Sequence, residues 1–245
     1  MAGIFLFLLL AHILGDYYLQ SENLSLKKDS LYKYVCLHCL IYTAVSFCLS
    51  LLSKLPAMIF LVSSISHFAI DTGKYIFYKK KKPARFFNNQ KSSTYIFISD
   101  QLLHISCIYI TSLIYSQEIK DTFNLNKEII KWVILILFIG KPVNIAIKKL
   151  LITYKPQDLV PGNMAGAFIG ILERLLILIF LSINQYSAIG LVLTAKSIAR
   201  YKRITDDPDF AEYYLSGTLL SVLFAVAGFL FVFGSFEFPV LMSKF

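Results

Sequence analysis

The chain has 245 residues, 57% of them hydrophobic and 15% aromatic, with a mean hydropathy of +0.65 and a formal net charge of +9. That composition excludes an ordinary soluble domain. The basic residues sit in short loops between apolar runs, which excludes a nucleic-acid partner and points to the lipid bilayer instead.

Apolar runs predict helices at about 3–20, 33–53, 56–78, 95–116, 130–150, 163–184, a shorter one at 186–201, and 211–236. The expected fold is therefore all-α, a polytopic transmembrane helix bundle of seven or eight segments. It divides into an N-terminal four-helix half, residues 1–116, and a C-terminal half, residues 117–245. The first run lacks a basic leader and is broken by His12, Gly15 and Asp16, so it reads as a retained crossing rather than a signal peptide. Pro142 predicts a kink in the fifth run, and Pro156 to Gly162 a break. Asp207 before Pro208 reads as an N-cap followed by a first helical residue.

Loop charge sets the expected orientation. The strongest basic loop, Lys79 to Lys82 with Arg85 and Lys91, is assigned to the cytoplasm, and alternation then places Lys27, Lys28, Lys148, Lys149, Arg200 and Arg203 on the same side. If residues 186–201 cross, both termini are external, in a cell (inner) membrane. If that segment lies in the interface, its basic end would suit anionic lipid, and the C-terminus moves inside.

Polar residues inside the apolar runs carry the functional signal, because a charge at membrane depth costs about 2.5–3.5 kcal/mol on insertion scales. His12 and Asp16, His67 and Asp71, and Asp100 and His104 are each four residues apart, so each pair shares a helix face. Counted from the cytoplasmic ends, the carboxylates fall roughly 8–12 Å deep and the imidazoles roughly 14–18 Å, at ~1.5 Å per residue. This predicts one layer of acids and a second of histidines, with His38 joining the acids. Mixed imidazole and carboxylate ligands on facing helices suit a divalent metal, Zn²⁺, Mn²⁺ or Fe²⁺. A proton relay or an ion pathway would use the same set.

Gln20 and Gln101 are placed to orient ligands or bind substrate, and Lys74 to pair with a carboxylate or an anionic headgroup. Glu173 does not face its neighbour Arg174, so an interhelical ion pair with Lys196 is expected. Cys36, Cys39, Cys48 and Cys107 lie within apolar runs and read as small packing residues.

The run His12-Ile-Leu-Gly-Asp-Tyr-Tyr-Leu-Gln20, with His38, Ser66-His-Phe-Ala-Ile-Asp71 and Asp100-Gln-Leu-Leu-His104, resembles a bacterial family of multi-spanning membrane proteins catalogued as a domain of unknown function. Ala188 to Ser221 looks like the C-terminal part of many members. More distantly, helices bearing His and Asp are similar to the membrane-bound metal-dependent hydrolases. That likeness implies hydrolysis of a lipid or membrane-embedded substrate. A transporter or channel, or a structural scaffold, stands as the alternative.

Overall fold

The computed structural model describes residues 3–80, 90–116, 126–156 and 165–234, and these are helical with short connections. In chain order they form α1 (Gly3–Ile13), a π-helical turn (Leu14–Tyr18), α2 (Glu22–Lys28), α3 (Tyr32–Ser53), α4 (Ala57–Lys80) and α5 (Gln90–Ser116). There follow α6 (Lys127–Ile139), α7 (Lys141–Leu150), α8 (Ala165–Ser182), α9 (Tyr186–Ala199), α10 (Tyr201–Asp206) and α11 (Pro208–Phe233).

α1 is apolar all round, and ten of its eleven residues are buried. A helix of that kind has to be surrounded. α3, α5 and α6 enclose it. Its side chains form one core with Leu49, Leu55, Ile59, Phe60, Ile108, Ile130 and Ile134. A second core joins α6, α8 and α11 through Leu135, Ile139, Ile177, Leu178, Leu181, Ala225 and Val232.

α3 and α4 form the most extensive helix pair, joined by a short turn in which Lys54 takes the left-handed conformation at φ 56°. On α3 the buried side recurs as Val35, His38, Cys39, Tyr42, Ser46, Leu49, Ser50 and Ser53, a stripe of helical period. The opposite side presents Leu37, Leu40, Phe47 and Leu51, each about half exposed or more. α5 and α11 likewise expose Leu102, Tyr109, Ile110, Leu215, Leu219 and Leu223. Apolar surface this extensive calls for an apolar neighbour.

Among the described residues, four helices are long and apolar enough to cross a membrane: α3, Ser93–Ser116 of α5, the α6–α7 pair Lys127–Leu150, and α11. α1 with its π turn, followed by α2 across a 94° bend, makes a fifth if the pair is one broken span. Length and composition thus support four or five of the expected seven or eight crossings among the described residues. α4 is long enough but carries His67, Asp71 and Lys74, the residues that build the polar centre. α9 is a shorter apolar helix.

Pro142 stands in the first turn of α7, so the expected kink is a break at Gly140. At α11, the Asp207 carboxylate accepts from the Phe210 backbone N–H and Pro208 opens the helix. All four cysteines are free thiols. The basic loop at Lys82 and Arg85, and the Gly162 end of the expected break, lie outside the described residues.

Candidate metal centre

The centre begins with a local departure from α-helix. At Leu14–Tyr18 the chain widens into a π turn, closed by Leu19 N–H donating to the Leu14 carbonyl at 2.9 Å. Gly15 lies in this turn, and a Cβ there would stand 2.7 Å from Cδ2 of Tyr42. The absent side chain lets Tyr42, and α3 with it, close onto the end of α1. His38 lies one turn before Tyr42 on the same face of α3, so the same approach delivers it to Asp16.

Asp16 stands at the convergence. Its Oδ1 lies 2.8 Å from His67 Nε2 and 3.4 Å from His38 Nε2, and its Oδ2 lies 3.6 Å from His12 Nδ1. His38 Nε2 is also 3.3 Å from Asp71 Oδ2. Two triads therefore have ligand atoms within 4.8 Å of one another, His12–Asp16–His67 and His38–His67–Asp71, sharing His67. Tyr42 stacks on the His67 ring at 3.8 Å between centroids, which holds that ring in place.

Asp100 and His104 fall outside both triads. Asp100 accepts from Lys74 Nζ at 3.0 Å and from the Gln101 amide at 3.3 Å. His104 Nδ1–H donates to the Asp100 backbone carbonyl at 2.8 Å, while its ring packs 5.2 Å from His12 and 4.6 Å from His67. Gln20 is buried with its amide nitrogen unpartnered. The rings of His12, His67 and His104 lie together, 4.6–6.2 Å between centroids, and His38 joins the acids, 3.4 Å from Asp16 and 3.3 Å from Asp71. The π turn and the meeting of different helices set Asp16 closer to His67 of α4 than to His12 of its own segment.

Hydrogen bonding sets the tautomer of two of the four rings, His12 and His104. Gln101 Oε1 accepts from Tyr17 OH at 2.7 Å and from His12 Nε2–H at 3.2 Å. In the neutral ring His12 Nδ1 is then a lone pair, 3.6 Å from a carboxylate oxygen of Asp16. His104 Nε2 is likewise an unpartnered acceptor, and both ring nitrogens of the fully buried His38 lack a hydrogen-bond partner. In metal sites the second ring nitrogen is held by an outer contact, as Gln101 holds Nε2 of His12, which leaves the first free to ligate.

The charges are unevenly matched. Lys28 Nζ reaches Asp71 at 3.4 Å and Lys74 Nζ reaches Asp100 at 3.0 Å, whereas the ionisable partners of Asp16 among the described residues are imidazoles. Taking an ion out of water costs several kcal/mol, and a neutral imidazole brings no charge to offset it. A divalent cation at the triads would do so.

In the other half, Lys196 Nζ donates to Glu173 Oε2 at 2.6 Å. Arg174 is 2% exposed and donates to the Ile139 carbonyl, Ser221 Oγ and Asn144 Oδ1. Tyr17, Lys28 and Tyr42 were not singled out from the sequence. Tyr42 was within reach of the same spacing rule, four residues after His38, but Lys28 lies in a short polar helix whose 94° bend no pattern announces.

The fold and the site together define an all-helical protein, with several helices able to cross a membrane, built around a buried His/Asp centre able to hold a metal ion. The chain belongs to the family described as Protein of unknown function (DUF3307), whose model matches residues 4–139, from α1 to the last residue of α6. No curated protein and no solved structure matches the chain. The likeness to membrane-bound metal-dependent hydrolases therefore finds no support in these comparisons.

Proposed function

We propose that this is an integral membrane protein whose N-terminal helices hold a divalent transition metal, with Asp16, His67 and His12 as one ligand set and His38 and Asp71 completing a second around His67. The observation that carries the reading is Asp16, a carboxylate whose side chain is 7% exposed, ringed by three imidazoles and left without the lysine that each of the other two acids has. Zn²⁺, Mn²⁺ and Fe²⁺ all accept this mixture of nitrogen and oxygen donors. A bound ion would lower the pKa of a coordinated water toward ~7, and hydrolysis of a lipid or other membrane-embedded substrate is the chemistry that would supply.

In this reading α4 and α8 span as well, which makes seven crossings, and α9 makes the eighth if it crosses. The basic loops face the cytoplasm, where they would meet anionic lipid, and the N-terminus is external. The second reading, a proton relay, is favoured by the 2.8 Å contact between His67 and Asp16, which suits a shared proton.

Metal content of the detergent-purified protein separates the two. Stoichiometric metal in the wild type, lost in Asp16→Asn and His67→Ala and kept in Asp100→Asn, supports the metal centre. Added metal at about a hundred times its Kd should then raise the unfolding free energy by about 2.7 kcal/mol. A folded wild type that neither contains nor takes up metal overturns the reading in favour of the relay.

A further inference from the structure

The molecule contains a second feature, which meets the triads only at His12 and which the metal reading does not otherwise use. A cavity of about 530 Å³ lies between α1, α5, α6 and α11. That volume is typical of ligand pockets, at ~300–1,000 Å³. Phe5 and Leu9 of α1, Ile105 of α5, Phe138 of α6 and Phe224 and Phe231 of α11 line it. Its polar lining is confined to His12, Tyr17 and Gln101, which form one connected spot because His12 and Tyr17 both donate to the Gln101 side-chain oxygen.

The shape is directional. Phe5 packs on Phe231 and Phe138 on Phe224, so α11 runs beside α1 and α6 along the length of the cavity. From Phe5 to Tyr17 that length is about 18 Å at a rise of ~1.5 Å per residue. One end is wholly apolar and the other meets the polar spot. Ile105, Leu230 and Phe231 at its rim are 39%, 46% and 49% exposed, so the cavity opens sideways between α5 and α11, the two helices whose outer faces are apolar and long enough to span a membrane. In the membrane placement proposed above, a side opening at that place leads to hydrocarbon and not to water.

From these observations we infer that the cavity is a lipid-binding site, taking one hydrocarbon chain of a bilayer lipid from the side, with the oxygen-bearing end of that lipid at Gln101. The amide of Gln101 has two N–H groups, and Asp100 takes one of them. The other is available to an ester carbonyl or phosphate oxygen. The hydrocarbon chain excludes water from the wall behind His12, and the lipid's polar end is brought to the edge of the His/Asp centre beside His12, the one triad member in the lining. The inference rests on the membrane placement proposed above but not on the metal.

The test is photo-crosslinking of the full-length protein in phosphatidylethanolamine–phosphatidylglycerol vesicles containing a phospholipid with a diazirine in its acyl chain, with the labelled peptides mapped by mass spectrometry. Label should concentrate on Leu9, Phe138 and Phe224, above that on the outward-facing Leu40 and Leu51. In Ala227→Phe, which adds bulk to the lining of the cavity, it should fall there roughly tenfold, equivalent to about 1.4 kcal/mol of lost occupancy, with Leu40 and Leu51 unchanged. Cavity labelling no greater than at Leu40 and Leu51, or equal in a folded Ala227→Phe protein, overturns the inference. Leu40 and Leu51 report separately on membrane placement, and the same labelling in metal-free His67→Ala keeps the result independent of the metal.

Discussion

Two buried charged centres in this protein are built on opposite terms. Around Arg174, in the C-terminal helices, the guanidinium donates to three neutral acceptors, one of them the carbonyl of Ile139 at the end of α6, where the break at Gly140 stops the helix. Around Asp16, in the N-terminal helices, ring nitrogens of His12 and His38 stand close to carboxylate oxygens yet have no hydrogen-bond partner. The first centre is complete and ties α6, α7, α8 and α11 together. The second is assembled with lone pairs to spare. A buried polar network that serves only packing is expected to be satisfied, because each orphaned group costs about 1–3 kcal/mol. Unsatisfied acceptors at one centre and not the other are what a bound cation would explain.

The contrast makes distinct demands on substitutions. Arg174→Met should have the largest effect, since it strands three acceptors at about 1–3 kcal/mol each. The unfolding free energy in detergent should fall by about 3 kcal/mol or more, while metal content stays at the wild-type level. Metal loss in that variant would break the comparison and make the two centres one cooperative unit.

Gly15→Ala should come next. The new Cβ would sit 2.7 Å from Tyr42, an overpacking of the kind that costs about 1–3 kcal/mol. Because Tyr42 is stacked on His67, metal content should fall together with stability. Full metal retention would show that α3 does not position the centre. The smallest effect belongs to Glu128→Gln, which removes an exposed partner of Lys131 and should change stability by less than about 0.5 kcal/mol with metal unaltered. That variant sets the background against which the other two are read.

The helices were largely legible because their signals are local. Tyr32–Ser53 shows as an apolar run, and the start of α11 shows as Asp207 before Pro208. The number of crossings was less so, since the apolar run of α4 is diluted by the side chains of the polar centre itself. The i, i+4 pairs marked His12, Asp16, His67 and Asp71 as members of polar faces. They did not indicate that Asp16 would meet His67, that Lys28 would reach Asp71, or that Asp100 would turn to Lys74. The π turn was also hidden, because the space that Gly15 leaves for Tyr42 exists only once α3 has packed.

What the sequence determines alone is the helical class and the side chains that must find polar company within an apolar interior. Periodicity and hydropathy act over one or two turns, and those properties need nothing longer. Which carboxylate receives a lysine, which receives imidazoles, and where a cavity remains between α1 and α11 are decided by tertiary packing. Those outcomes depend on distances between helices far apart in the chain, and no local pattern carries them.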